Sequence, residues 1–144
     1  MKLKKGQVLT NREISEVFDV CVCRGIRYKG SLKTGIHHVV LIAAFNKTRE
    51  ETVQNPYLDR RICDNKILYT GEGRFGNQRM HRGNLVLLRQ KQEKYPIYVF
   101  EKRGPGKYAF IGLFNVSDAK KENQVDSRGK MREVFLFELV EADG

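Results

Sequence analysis

The last third of the chain leaves little choice of architecture. In "IYVFEKRGPGKYAFIGLFNV" and, further on, "REVFLFELV", large apolar residues recur at a period of two. That period puts successive side chains on opposite faces of a strand, whereas a helix needs repeats of three to four. The Gly104-Pro105-Gly106 break reads as the turn of a hairpin. On the strand after it, Tyr108, Phe110, Phe114 and Val116 are expected to share one face. In the last strand Phe135, Phe137 and Leu139 alternate with Val134, Leu136 and Val140. "DAKKENQVDSRGK", between the two, reads as a long polar loop.

The first two thirds mix both periods. "TNREISEVFDV" predicts a helix: Thr10 and Glu13 have capping-box spacing, and Ile14, Val17 and Phe18 form a stripe. "CVCRGIRYKGSLKTGIHH" reads as a basic, loop-rich segment. "VVLIAAF" (39–45) is an uninterrupted apolar run with three β-branched residues, which predicts a buried strand. "NKTREETVQNPYLDRRICDNK" is polar and contains Pro56. "ILYT" (67–70) predicts a short strand, and "GNLVLLRQKQEKYP" a helix capped by Asn84 and ended by Pro96. The sum is an α+β chain, a curved sheet or barrel of about five or more strands with two or three flanking helices. A length of 144 residues suits one domain over 1–144, with 1–19 as a helical lead-in.

Hydrophobic residues make up 40% and charged residues 31%, the balance of a globular chain. The net charge of +10 attracts polyanions, and nucleic acid is the first partner to consider. Cys21 and Cys23 alternate as in a strand, and Cys63 stands alone. An odd count without zinc spacing points to core or half-buried thiols in a reducing compartment. The N-terminus lacks the apolar stretch of a signal peptide, and no segment has the ~20 apolar residues of a membrane span. A cytoplasmic protein with no cofactor and no metal is expected.

Between the short strand and the second helix lies "GEGRFGNQRMHRGN" (71–84), rich in glycine and arginine. Loops of this length are usually functional or disordered. Gly71, Gly73 and Gly76 match G-x-G-x-x-G, but no helix opens from them, so the dinucleotide fingerprint lacks its context. His81 with Asn84 suggests a His-Asn-His nuclease, yet the other histidines, His37 and His38, lie far upstream. Acid-lysine fragments in "DAKKENQ" and "FEKRG" are common in basic chains. Nothing here makes a catalytic set.

A different grouping carries chemistry. Tyr57 and Tyr69 flank Asp59, and Thr70-Gly71 follows directly. Two aromatic rings can sandwich a planar base, worth ~1–3 kcal/mol per base. A carboxylate can accept from the exocyclic amine of cytosine, and backbone N–H groups near Thr70 and Gly71 can meet its acceptors. The same residues also suit core or rim tyrosines with a turn aspartate.

"YLDRRICDNKILYTGEGRFGNQRMHRGNLVL" resembles the SRA (SET- and RING-associated) domain, especially the SRA-like modules of bacterial modification-dependent restriction endonucleases. The likeness rests on Tyr57 and Asp59, then Tyr69-Thr70-Gly71-Glu72-Gly73, Asn77-Gln78 and Asn84-Leu85-Val86-Leu87. It extends from about Val20 to the C-terminus. Two departures stand out: Asn77 replaces the family's aspartate, and Asp64 is an alternative to Asp59. The resemblance implies a PUA-like curved barrel. It further implies double-stranded DNA as partner, carrying 5-methylcytosine or 5-hydroxymethylcytosine flipped into a pocket. Tyr57, Asp59, Tyr69, Thr70 and Gly71 would form that pocket. Arg74, Asn77, Gln78, Arg79 and Arg82, with the basic loops Lys47–Arg49 and Lys120–Lys130, would meet the DNA. The nuclease of such a system would lie in another domain or protein. The alternatives from charge and fold class are a PUA-like RNA-binding module and a small nuclease.

Overall fold

The computed structural model describes residues 3–45 and 57–142. Lys47, Arg49 and Pro56 fall outside them. In chain order the described elements are β1 (Val8–Leu9), α1 (Asn11–Phe18), β2 (Ile26–Ser31), β3 (Gly35–Ala43), β4 (Arg60–Cys63), β5 (Lys66–Thr70), α2 (Gly83–Glu93), β6 (Ile97–Gly104), β7 (Lys107–Val125) and β8 (Met131–Glu141). The eight strands form one mixed sheet ordered β2-β3-β6-β7-β8-β5-β4, with β1 added to β7. Among the described pairings only β3–β6 is parallel.

The expected barrel is a curled sheet whose ladder, among the described residues, does not close between β2 and β4. The curl brings distant strands together. The Tyr69 hydroxyl on β5 donates to the Ile42 carbonyl on β3 at 3.1 Å. The Asp59 carboxylate accepts from Thr70 N at 2.9 Å and from Ala44 N at 3.4 Å.

Burial on both faces explains the uninterrupted apolar run of β3. Val39 and Leu41 join the main cluster with Val86 and Leu87 of α2. Val40 points the other way, toward Ile14 and Phe18 of α1. Each such side chain contributes about 1.5–3 kcal/mol when fully buried. The Thr10–Glu13 capping box starts α1 as expected, but Val17 of the stripe is 38% exposed.

Several expectations need correction. The "loop-rich" 21–38 segment contains β2 and the start of β3, paired antiparallel around the 32–34 turn. Its glycines and lysines lower strand propensity, but pairing with β3 overrides it. The polar 118–130 segment is mostly strand: β7 runs to Val125 and pairs with β8 to Met131, so only 126–130 connect them. Most of its polar residues face solvent on an antiparallel ribbon, but Gln124 and Asp126 are buried. Tyr108 and Phe110 do not share a face with Phe114 and Val116. Val99 pairs with Gly112 and Phe100 with Phe110, leaving Ile111 as a bulge, with Gly112 at φ +134°. The bulge turns Phe110 to the α1 cluster and Ile111, Phe114 and Val116 to the main one. The polar 46–66 segment hides β4, an exposed edge strand. Cys21, Cys23 and Cys63 are all exposed, and the first two lie outside any strand.

Candidate functional site

The curl leaves a cavity of about 530 Å³ on one side of the sheet, within the range of small-ligand sites. One wall runs from Tyr69 to Arg74, where β5 passes into the glycine-rich loop. A second is the irregular 22–25 segment before β2. Ile26 and Arg27 of β2, Ile42 of β3 with Ala44 just beyond it, Tyr57, Asp59, Lys102 and Tyr108 complete the lining.

The structure therefore brings Tyr57, Asp59, Tyr69, Thr70 and Gly71 together around one space. Asp64 is exposed in the β4–β5 connection, away from that lining. Asp59 is held by the backbone N–H groups of Thr70 on β5 and of Ala44, just past the end of β3. Tyr69 is buried, and that burial raises its hydroxyl pKa well above the phenol range, keeping it a donor to Ile42 O. Tyr57 is half-buried, and its hydroxyl accepts from Gly73 N at 3.2 Å. Burial raises its pKa as well. Thr70 Oγ1 accepts from buried Gln124 at 3.3 Å.

The glycine-rich loop is pinned from below. Asn84 is fully buried on the first turn of α2. Its Oδ1 accepts from Glu72 N at 2.7 Å, and its Nδ2 donates to Glu72 O at 3.0 Å and Arg79 O at 2.9 Å. It is not the expected helix cap: Arg82 holds that position without a side-chain bond, at φ +49°. Gln78 donates to Gly71 O at 2.6 Å and Gly73 O at 3.2 Å, and accepts from Phe135 N at 2.9 Å. Gly71 has no room for a side chain: a Cβ there would stand 2.6 Å from Asn84 Oδ1 and 2.9 Å from Gln78 Oε1. Asn77 Oδ1 accepts from Glu133 N at 2.9 Å. The buried Arg132 guanidinium donates to Gly73 O and Gly76 O. Asn77 and Gln78 thus tie the loop to β8, while Arg74, Arg79 and Arg82 are exposed. Phe75 at the loop tip is 50% exposed, with the Arg128 guanidinium 4.4 Å from its ring centroid.

The 22–25 wall depends on Arg27. This buried side chain donates to Arg24 O at 2.5 Å, Val22 O at 3.2 Å and Asn11 Oδ1 at 2.6 Å. Glu72 is the second acid of the lining, and burial raises its pKa against the pull of Arg24, His81 and Arg82. Among the described residues no group of His, Cys, Asp and Glu is arranged to hold a metal, and no helix is long and apolar enough to cross a membrane.

Sequence reasoning missed Arg27, Lys102, Tyr108 and Arg132, which reach the site from other strands. Phe75 stood in the quoted loop, and its apolar ring amid arginines was the available signal.

The ScoMcrA-like SRA domain family matches residues 6–144. No curated protein matches the chain in sequence. Among solved structures, it is similar to the SUVH5 SRA domain in complex with fully methylated CG DNA: TM-score 0.73, 22% identity, covering 99% of this chain and 91% of that one. It is also similar to the sulfur-binding and SRA domains of ScoMcrA complexed with phosphorothioated DNA: TM-score 0.74, 14% identity, 100% of this chain and 41% of that one. The type IV phosphorothioation-dependent restriction endonuclease ScoMcrA gives a TM-score of 0.75 at 18% identity, and this chain covers 29% of its length. At these identities the likeness concerns the fold.

Proposed function

The chain belongs to the ScoMcrA-like SRA domain family, and from that premise we propose that it is a DNA-binding module that reads a modified cytosine flipped out of the duplex. The convergence of Tyr57, Tyr69, Asp59 and the Thr70–Gly71 backbone on one cavity carries this reading. The base enters between the tyrosines, and stacking offsets the few kcal/mol that flipping costs. A carboxylate offers about four acceptor sites, so Asp59 can keep its backbone anchors and accept from the exocyclic amine. Its two N–H donors fix its direction before any base arrives. Arg74, Arg79 and Arg82 meet phosphates. Asn77 and Gln78 serve the interface by holding the loop. Phe75 enters the gap that the base leaves, as apolar wedges do between base steps. The module supplies specificity to a modification-dependent restriction system whose nuclease lies in another domain or protein.

A titration at fixed salt tests this, using matched duplexes with cytosine, 5-methylcytosine or 5-hydroxymethylcytosine at one position. A preference of about tenfold or more for one modified duplex is expected, corresponding to about 1.4 kcal/mol. It should disappear in Asp59→Asn, which keeps the side-chain shape, and weaken in Tyr57→Ala. Equal binding to all three duplexes by the wild type overturns the reading.

A further inference from the structure

The cavity lining includes two residues that the flipped-base reading does not use, Lys102 and Tyr108. They face each other across the β6–β7 ladder, one rung before the Gly104–Lys107 pair that closes the turn. This tip continues the end of β3, since Glu101 pairs with Ala43 and Ala44 lines the cavity. It carries Lys102, Arg103 and Lys107, all exposed. Arg103 is tied to Glu101 at 3.2 Å, whereas among the described residues neither Lys102 nor Lys107 makes an ion pair. The turn residues Pro105 and Gly106 are exposed as well, so nothing in the described fold covers the tip.

We infer that the β6–β7 hairpin tip is a second phosphate-gripping arm, with Lys102 and Lys107 contacting the DNA backbone beside the cavity mouth. The inference rests on the flipped-base reading. A nucleotide with its base in the cavity must leave its own phosphates at the mouth, where Lys102 stands. The neighbouring duplex presents one negative charge per ~1.7 Å of axis. The glycine-rich loop supplies cations at its own wall, and the hairpin supplies them where β3 ends. These contacts fix position and carry no sequence information.

The test is the salt dependence of binding to modified and unmodified duplexes, for wild type, Lys102→Ala, Lys107→Ala and Lys91→Ala. Lys91 lies on the last turn of α2 and serves as the charge-matched comparison. Each hairpin variant is expected to flatten the slope of log affinity against log salt by about 0.9. That is roughly fivefold in affinity near 0.15 M salt, equal for both duplexes. The ratio between duplexes stays at its wild-type value, and Lys91→Ala leaves the slope unchanged. A wild-type slope in both hairpin variants overturns the proposal while the modified-base preference stands. An equal change in Lys91→Ala also overturns it, because the effect is then one of overall charge. A wild type that shows no preference among duplexes fails the flipped-base reading instead, and the slopes still report on the hairpin.

Discussion

The two walls of the cavity are built by different means. The glycine-rich wall is held by many bonds from buried side chains: Asn84 from α2, with Gln78 and Arg132 tying the loop to β8. The 22–25 wall is a short irregular segment gathered around one guanidinium, Arg27, with Asn11 as a second anchor at Val22 O. Its residues Val22, Cys23, Arg24 and Gly25 are all exposed. The backbone N–H groups of the first wall, from Thr70 to Gly73, all donate within the fold, so the wall's shape is fixed during folding rather than binding. The second stays accessible to water.

The comparison breaks most visibly at Asn84. Asn84→Ala strands the Glu72 N–H and two carbonyls beneath the loop. We expect a loss of about 2–4 kcal/mol in urea unfolding, with base discrimination lost at temperatures where the protein remains folded. A loss under ~0.5 kcal/mol would mean the loop is not held this way. Arg27→Leu tests the softer wall. Its carbonyl partners lie in an exposed segment that water can satisfy, so we expect only about 1–2 kcal/mol. Affinity should fall, but the preference between duplexes should persist. If Arg27→Leu costs more than Asn84→Ala, the ranking of the walls is reversed.

The smallest effect is expected at Glu72 and has a definite sign in pH. Burial raises its pKa in the folded protein above the unfolded value. Its contribution is therefore most favourable below the unfolded pKa and is lost as pH rises through the folded one. Glu72→Gln should raise Tm at neutral pH, and the gain should vanish below the ordinary carboxylate range. A gain that persists at pH 3 would point to packing instead.

Much of this was legible in the sequence where the signal is local. The capping box of α1, the apolar run of β3 and the Gly104–Gly106 turn rest on neighbours in the chain. The Tyr57, Asp59, Tyr69, Thr70 and Gly71 set is different, because its two parts flank the β4–β5 hairpin and meet around one cavity only in the fold. The misses share a physical cause. β2 and the outer half of β7 are polar, and only their partner strands make them strands. Asn84 has the composition of a cap, but its amide is claimed by the loop before it. The Ile111 bulge has no local apolar signature, and it moves Phe110 to a different core from Phe114.

The parallel pairing of β3 with β6 has a consequence for how the molecule comes into being. β4, β5, the glycine-rich loop and α2 all lie between these two strands in the chain. Closing so long a loop is an entropic cost met before the pairing rewards it, which slows folding. During synthesis β3 can pair with β2, but its other edge, in the most apolar run of the chain, waits for β6 to emerge. The cavity draws on β3, β5, β6 and β7. It is completed only when that edge is covered, so assembly of the cavity is a late folding event and a sensitive reporter of misfolded chains.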